Sequence, residues 1–290
     1  MRNIHYSLLL IIFCCFEGVF AQQEVSYTQF WNSYIHTNPA TTGLFYKHAG
    51  NAHYRNQWDK VNGAPNTLNV NYAVRLSAIH GGVGVSYRYE TIGFNRTNMG
   101  LVHYAFHWKL GETLLSFGAS AGIARFSIDK AWIPPSTLDD PSLPPSKYSK
   151  SVFTSNIGIV LHREKWNVGV SCTQLNSPSI NQGTVNYNTA RHYFLFADYN
   201  YDFSENLSFK PQIQVVTDAV KYSLNSSLMI TIFKNTWTGI NFSPNNYLGL
   251  MLGYDFKGRY RVGYGYDYTT NKLSSVSKGT HEIVLSYLLK

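Results

Sequence analysis

Cysteine is scarce: the 290-residue chain has three, and Cys14 and Cys15 lie in an apolar N-terminal stretch. Only Cys172 remains beyond it, so no disulfide framework can form within one chain. Long apolar runs are also missing. Leu8–Phe16 is far too short to span a bilayer and no other segment approaches that length, which excludes a helical membrane protein. Charged residues make up only 14% of the chain; the net charge is +8, with no run of Lys or Arg. Without a clustered basic footprint, nucleic acid is not an expected partner. A lipopolysaccharide surface and a polar lumen would absorb such scattered charges.

Catalytic patterns are absent as well. Gly81-Gly82-Val83-Gly84 opens a strand with no helix after it, so it is not a phosphate cradle. His103 and His107 are four apart and share one face of a strand. Two readings follow: half of a metal site, for which no Cys or carboxylate ligand stands nearby, or two polar residues inside a barrel. Ser and His are plentiful enough for a wall-borne Ser–His hydrolase, but no spacing favours one. His281 and Glu282 are adjacent in a strand and so face opposite sides, which argues against a direct acid–base pair. No enzyme and no cofactor are expected.

The N-terminus reads as a secretory signal over residues 1–21. Arg2 and His5 form a short polar region, Leu8–Phe16 the apolar core, and Val19-Phe20-Ala21 a cleavage site before Gln22. Phe13 before Cys14 argues against a lipoprotein signal.

From about Phe45 onward, short segments alternate apolar and polar residues. Leu68, Val70, Tyr72, Val74 and Leu76 alternate with Asn69, Asn71, Ala73 and Arg75. Tyr260, Val262, Tyr264, Tyr266 and Tyr268 alternate with Arg261, Gly263, Gly265 and Asp267. Strand side chains point alternately to opposite faces, so each segment has one apolar face and one polar or small face. A soluble antiparallel sheet alternates too. Tyr near the ends of the apolar face, and Gly, Ser and Asn on the other, favour lipid outside and a crowded lumen within.

This predicts an all-β fold: a transmembrane antiparallel β-barrel of about 14 strands over residues 45–290, an even number within the bacterial range. The expected strands are 45–58, 67–76, 81–91, 97–108, 113–127, 152–161, 166–174, 190–202, 207–217, 222–233, 236–243, 247–256, 259–268 and 280–289. Tight and longer connections alternate, with two exceptions near Asp218 and Ser243. Tight turns belong on the periplasmic side, which puts both termini there. The longest connection, 128–151, carries Pro134-Pro135 and Pro144-Pro145 and is read as a stiff outer loop, either a contact surface or a solvated loop without a role. Residues 22–44 are aromatic and polar without long alternation. They read as a plug folded into the periplasmic mouth or lumen, with Phe30 and Trp31 buried and Arg55 and Trp58 of the first strand receiving them; the alternative is a loose tail.

Several motifs resemble one family. Ser26-Tyr27-Thr28-Gln29-Phe30-Trp31, followed by Asn38-Pro39-Ala40-Thr41-Thr42-Gly43, resembles the N-terminal signature of the PorP/SprF family of Bacteroidetes, a Q-aromatic segment before a form of Asn-Pro-Ala-Tyr-Ala-Gly. Thr41-Thr42 replaces the usual Tyr-Ala. Tyr54-Arg55-Asn56-Gln57-Trp58, then Asn62-Gly63-Ala64-Pro65, is similar to its second signature. Arg191-His192-Tyr193-Phe194 and Lys210-Pro211 resemble its central strands, and Gly279-Thr280-His281-Glu282-Ile283 its closing strand. The matches run in order over nearly the whole chain after the leader.

The resemblance implies a non-enzymatic outer-membrane barrel of the type IX secretion and gliding-motility machinery. Its partners would be other components of that system and a large secreted cargo, often a surface adhesin. The residues it singles out are Gln29, Phe30, Asn38, Pro39, Gly43, Arg55, Asn56, Trp58, Asn62, Gly63, Pro65, His281 and Glu282. The alternative function is a transport barrel for a small or hydrophobic substrate, like the fatty-acid transporters, with 22–44 as its plug.

Overall fold

The computed structural model describes residues 24–128, 149–182 and 185–290. Residues 1–23, which include the expected signal segment, and most of the Pro-rich connection 128–151 lie outside the described residues. In chain order the strands are β1 (His48–Asn56), β2 (Asn66–Leu76), β3 (Gly81–Ile92), β4 (Asn95–Leu110), β5 (Thr113–Ile128) and β6 (Ser149–Arg163). Then come β7 (Trp166–Thr173), β8 (Ser179–Gln182), β9 (Val185–Asn188), β10 (His192–Tyr199), β11 (Tyr201–Ser204) and β12 (Leu207–Thr217). The series ends with β13 (Tyr222–Ile232), β14 (Thr236–Ser243), β15 (Tyr247–Phe256), β16 (Tyr260–Thr269) and β17 (Thr280–Leu289).

All strands except β8 and β9 form one antiparallel sheet that closes on itself. β1 pairs with both β2 and β17, and β10 pairs with both β7 and β12. β11 continues β10 past a break at Asn200, so the 15 sheet strands make a wall of 14. Closure leaves no open edge, as a bilayer requires. β8 and β9 form a small separate hairpin in the connection 174–191, which the sequence pattern reads only as loop.

The faces follow the alternation. Val70 and Tyr72 are 42% and 44% exposed, whereas Asn69 and Asn71 are 1% and 4%. The apolar side chains therefore cover the outside and the polar ones line the lumen. One rim carries the tight connections, residues 77–80, 111–112, 164–165, 205–206, 233–235 and 257–259. In the last of these, Lys257 and Gly258 have φ of 51° and 61°, the left-handed pair of a primed hairpin turn. The other rim carries the longer loops, together with three short links: the two near Asp218 and Ser243, and a third at Gly93-Phe94. By the outer-membrane convention the tight rim is periplasmic.

Candidate functional site

The lumen is occupied by the chain's own N-terminal segment. Residues 26–44 form two short 3-10 segments, Phe30–His36, kinked at Ser33, and Pro39–Thr41, and nearly every side chain in them is buried. The path can be read from partners on the wall. Glu24 pairs with Arg88, near the long-loop end of β3. The carbonyls of Gly43 and Leu44 accept from Arg75, next to the tight turn 77–80. The segment thus runs through the barrel from its long-loop half to its tight-turn rim, where β1 starts. The two ends of the wall lie on the tight-turn rim as expected, but residues 24–44 double back, so Glu24 is not at the periplasmic mouth.

The most strongly bonded anchor is ionic. Arg55 on β1 and Glu282 on β17 are register partners across the seam, and both are at most 2% exposed. The Arg55 guanidinium lies 2.8 Å from Glu282 Oε2 and 2.8 Å from Asp267 Oδ2. His53 Nε2 is 3.0 Å from Glu282 Oε1. The plug completes this set: the backbone N–H groups of Thr28 and Gln29 donate to the Glu282 carboxylate at 2.9 and 2.7 Å. Thr28 Oγ1 donates to Asp267 at 2.6 Å, and Asn241 Nδ2 donates to the Thr28 carbonyl at 2.7 Å. Desolvated charges are tolerable only when paired and hydrogen-bonded in this manner. Losing the plug would leave two carboxylates short of donors.

Aromatic contacts form the next anchors. Trp31 meets Trp237 edge-on with ring centroids 5.2 Å apart, and the Arg261 guanidinium lies 4.9 Å from the centre of the Trp31 ring. Asp255 holds Arg261 at 2.6 and 2.7 Å. Tyr34 stacks on Phe196 at 4.1 Å, and its hydroxyl donates to Asp198 at 3.4 Å. Burial, reinforced by Asp198, pushes the Tyr34 phenol well above its usual range, so it remains a donor.

Asn38, Pro39 and Ala40 settle into a glycine cradle on β5, β6 and β7. A Cβ at Gly118 would strike the Pro39–Ala40 backbone, and one at Gly158 would strike the Asn38 amide. Asn38 caps its own 3-10 turn, accepting from Ala40 N at 3.0 Å, while its amide donates to the carbonyls of Ile159 and Val170 at 3.3 and 3.1 Å. The threonines that replace Tyr-Ala return their hydroxyls to the Asn38 and Pro39 carbonyls at 2.9 and 2.7 Å. Gly43 has φ of 67°, and a Cβ there would sit 3.0 Å from Gly82 Cα, so only glycine suits both backbone and space.

Electrostatics outside the wall follow from burial. Burial alone would raise the Glu24 carboxyl, but Arg88 beside it, helped by His192, holds it below its ordinary value. Burial lowers the His36 imidazole well below its usual value, with the nearby Arg88, His103 and His53 acting in the same direction. His36 lies 3.1 Å from the Asn71 amide, which also donates to Ser33 Oγ at 2.7 Å.

Among the residues marked by sequence, the structure brings Gln29, Phe30, Asn38, Pro39, Gly43, Arg55 and Glu282 together around the plug. The others serve the wall and its long-loop rim. Asn56 bonds Asn66 across the first hairpin at 2.7 Å, Gly63 accepts from Gly93 N at 2.8 Å, and Pro65 accepts from Gln57 N at 2.9 Å. Asn62 is exposed in the same turn. Trp58 does not receive the plug: β1 ends at Asn56, and Trp58 lies in the loop at φ 54° with its N–H donating to Thr280 Oγ1. His281 faces outward and meets the Tyr264 hydroxyl at 2.7 Å, on the opposite face from Glu282. His103 and His107 share the inner face but part company there, the first bonding Ser86 at 2.7 Å and the second the Thr42 carbonyl at 3.1 Å.

Sequence reasoning missed His53, Asp267, Asn241 and the Trp31–Trp237 contact as parts of the site. Asp267 was already visible as a carboxylate on the polar face of its strand, and an inward charge in a barrel needs a counter-charge.

Outer-membrane barrels of known structure share this architecture at low identity. The toluene transporter TbuX of Ralstonia pickettii matches with a TM-score of 0.54 at 11% identity, covering 95% of this chain and 96% of that one. A deletion mutant of the monoaromatic hydrocarbon channel TodX matches at 0.52 and 9%, covering 95% and 97%. An outer membrane protein of Acinetobacter baumannii matches at 0.51 and 11%, covering 86% and 100%. These show the fold. No curated protein matches in sequence. The model of the type IX secretion system membrane protein family PorP/SprF matches residues 19–287. With its closed barrel, this chain belongs to the PorP/SprF family and is an outer-membrane component of type IX secretion.

Proposed function

We propose that this protein assists surface delivery or retention of one large secreted cargo, adhesin-like in kind, within the secretion and gliding machinery, and that it catalyses nothing. The observation that supports this reading most is the filled lumen of a PorP/SprF barrel. Ion pairs, a threefold glycine cradle and stacked aromatics hold the plug, so the rims are the surfaces left for partners. The Pro-rich connection 128–151, most of it outside the described residues, is the outer candidate, because its paired prolines predict a stiff loop and a stiff loop loses less entropy on binding.

The competing reading is a transport barrel. The likeness to a toluene transporter favours it only as architecture. A lumen crossed by Arg55, Asp267, Glu282, Arg261 and Asp255 offers an apolar solute little. Deleting the gene and comparing surface proteomes separates the two. Loss of one or a few surface proteins, with general type IX secretion intact, is expected. Matching surface proteomes with failed uptake of a small solute would install the transport reading instead.

A further inference from the structure

The charges on the tight-turn rim are unevenly placed. Its acidic residues Glu112, Glu164, Asp202 and Glu205 are all exposed and lie between β4 and β12, where the exposed Lys109, Arg163 and Lys165 only partly offset them and Arg163 pairs with Glu112. In the ring of strands, that half stands opposite the β16–β17–β1 sector. There the exposed cations are Lys47, Lys257, Arg259 and Lys290. The carboxylate nearest Lys257 and Arg259 in sequence, Asp255, is already taken by Arg261 at 2.6 Å. No ion pair engages these cations among the described residues.

A recess of about 70 Å³ lies on the β1 side of that sector, between the plug and β1, β2 and β17: Trp31, Ile35, Leu44, Tyr46, Ala49 and Leu288 form its apolar part, with Asn51 and Asn71 beside them. Lys47 follows Tyr46 directly, and the Arg259 carbonyl accepts from Leu288 N at 2.6 Å, so two of the cations adjoin the lining. The volume is about half that of a ~150 Å³ cavity able to take benzene, which suits one branched aliphatic side chain.

We propose that this sector of the periplasmic rim docks a short acidic segment of a periplasmic protein, with one aliphatic side chain seated in the recess. Both halves of the surface point to such an occupant. The cations supply steering and register, and the recess supplies an anchor. Phospholipid headgroups would meet the rim all round and would not require the charge asymmetry to coincide with the recess. The proposal rests on the periplasmic facing of the tight-turn rim and is independent of which cargo the barrel serves.

The test uses the full protein in phosphatidylcholine nanodiscs and three twelve-residue peptides. One has aspartates and serines around a central leucine, the second replaces the leucine by serine, and the third replaces the aspartates by lysines. The first peptide should bind best and should weaken as salt rises. The variant K47Q/K257N/R259Q should bind it about tenfold less tightly. These substitutions lie in exposed turn positions, and asparagine tolerates the left-handed backbone at 257. Ala49→Leu, which fills the recess, should remove the advantage of the leucine peptide over the serine one. Equal binding of acidic and basic peptides would overturn the proposal. So would unchanged binding by the triple variant, or displacement by phosphatidylglycerol vesicles with no contribution from the leucine.

Discussion

Arg55 and Glu282 face each other across the seam where the first strand of the wall meets the last, 227 residues apart in sequence and 2.8 Å apart in space. The plug's own backbone donates to the same carboxylate. One buried ion pair therefore joins three things: the start of the barrel, its end, and the segment that fills it.

Breaking that pair should be severe. Glu282→Ala leaves Arg55 with one carboxylate and frees two plug N–H groups, and removal of one partner of a buried pair costs about 3–5 kcal/mol. Glu282→Gln should be milder, because the amide oxygen still accepts. Thermal unfolding followed by heat-modifiable gel mobility gives the order wild type, Gln, Ala; equal midpoints for all three would remove the pair from the account.

Gly158→Leu should expel the plug and spare the wall. Its side chain would occupy the space of the Asn38 amide, while the outer face is untouched. Chymotrypsin added from the periplasmic side should then cut at Tyr27, Phe30 or Trp31, sites that are buried in the wild type. Continued protection in the variant would count against the cradle.

Two neighbouring substitutions should fail differently. Tyr264 faces lipid, and arginine there should cost about 2–4 kcal/mol near the membrane midplane. From the alternation alone, Gly263→Ser is expected to be the milder change. The structure instead places Gln29 Oε1 and the Trp237 ring where a Cβ at Gly263 would go. Tyr264→Arg should reduce insertion into the outer membrane, whereas Gly263→Ser should insert and expose the plug to protease.

Acid should loosen the plug through His36. Its buried imidazole titrates well below the ordinary value of about 6.5, so below that pH a displaced plug binds a proton that the seated plug does not. The seated state is therefore fully favoured above pH ~6.5 and weakens as pH falls below it, by at most about 1.4 kcal/mol per pH unit. Amide hydrogen exchange of residues 27–44, corrected for intrinsic rate, should rise between pH 6.5 and 5 in the wild type. In His36→Gln the rise should be smaller than in the wild type.

The barrel was legible in the sequence because a strand's faces repeat every two residues, a local pattern that needs no knowledge of partners. Val70 and Tyr72 against Asn69 and Asn71 already separate lipid from lumen, and paired turn signals such as Lys257-Gly258 already mark a rim. The motif residues of the plug could be named, but their purpose could not. Asn38-Pro39-Ala40 acquires meaning only when β5, β6 and β7 place Gly118, Gly158 and Gly169 beneath it. Glu282 becomes a latch only when closure brings β17 against β1, and Asp267 joins it only through the register of β16 on β17. Alternation is written residue by residue, whereas the pairing of buried charges depends on which distant strands become neighbours, and only the closed sheet decides that.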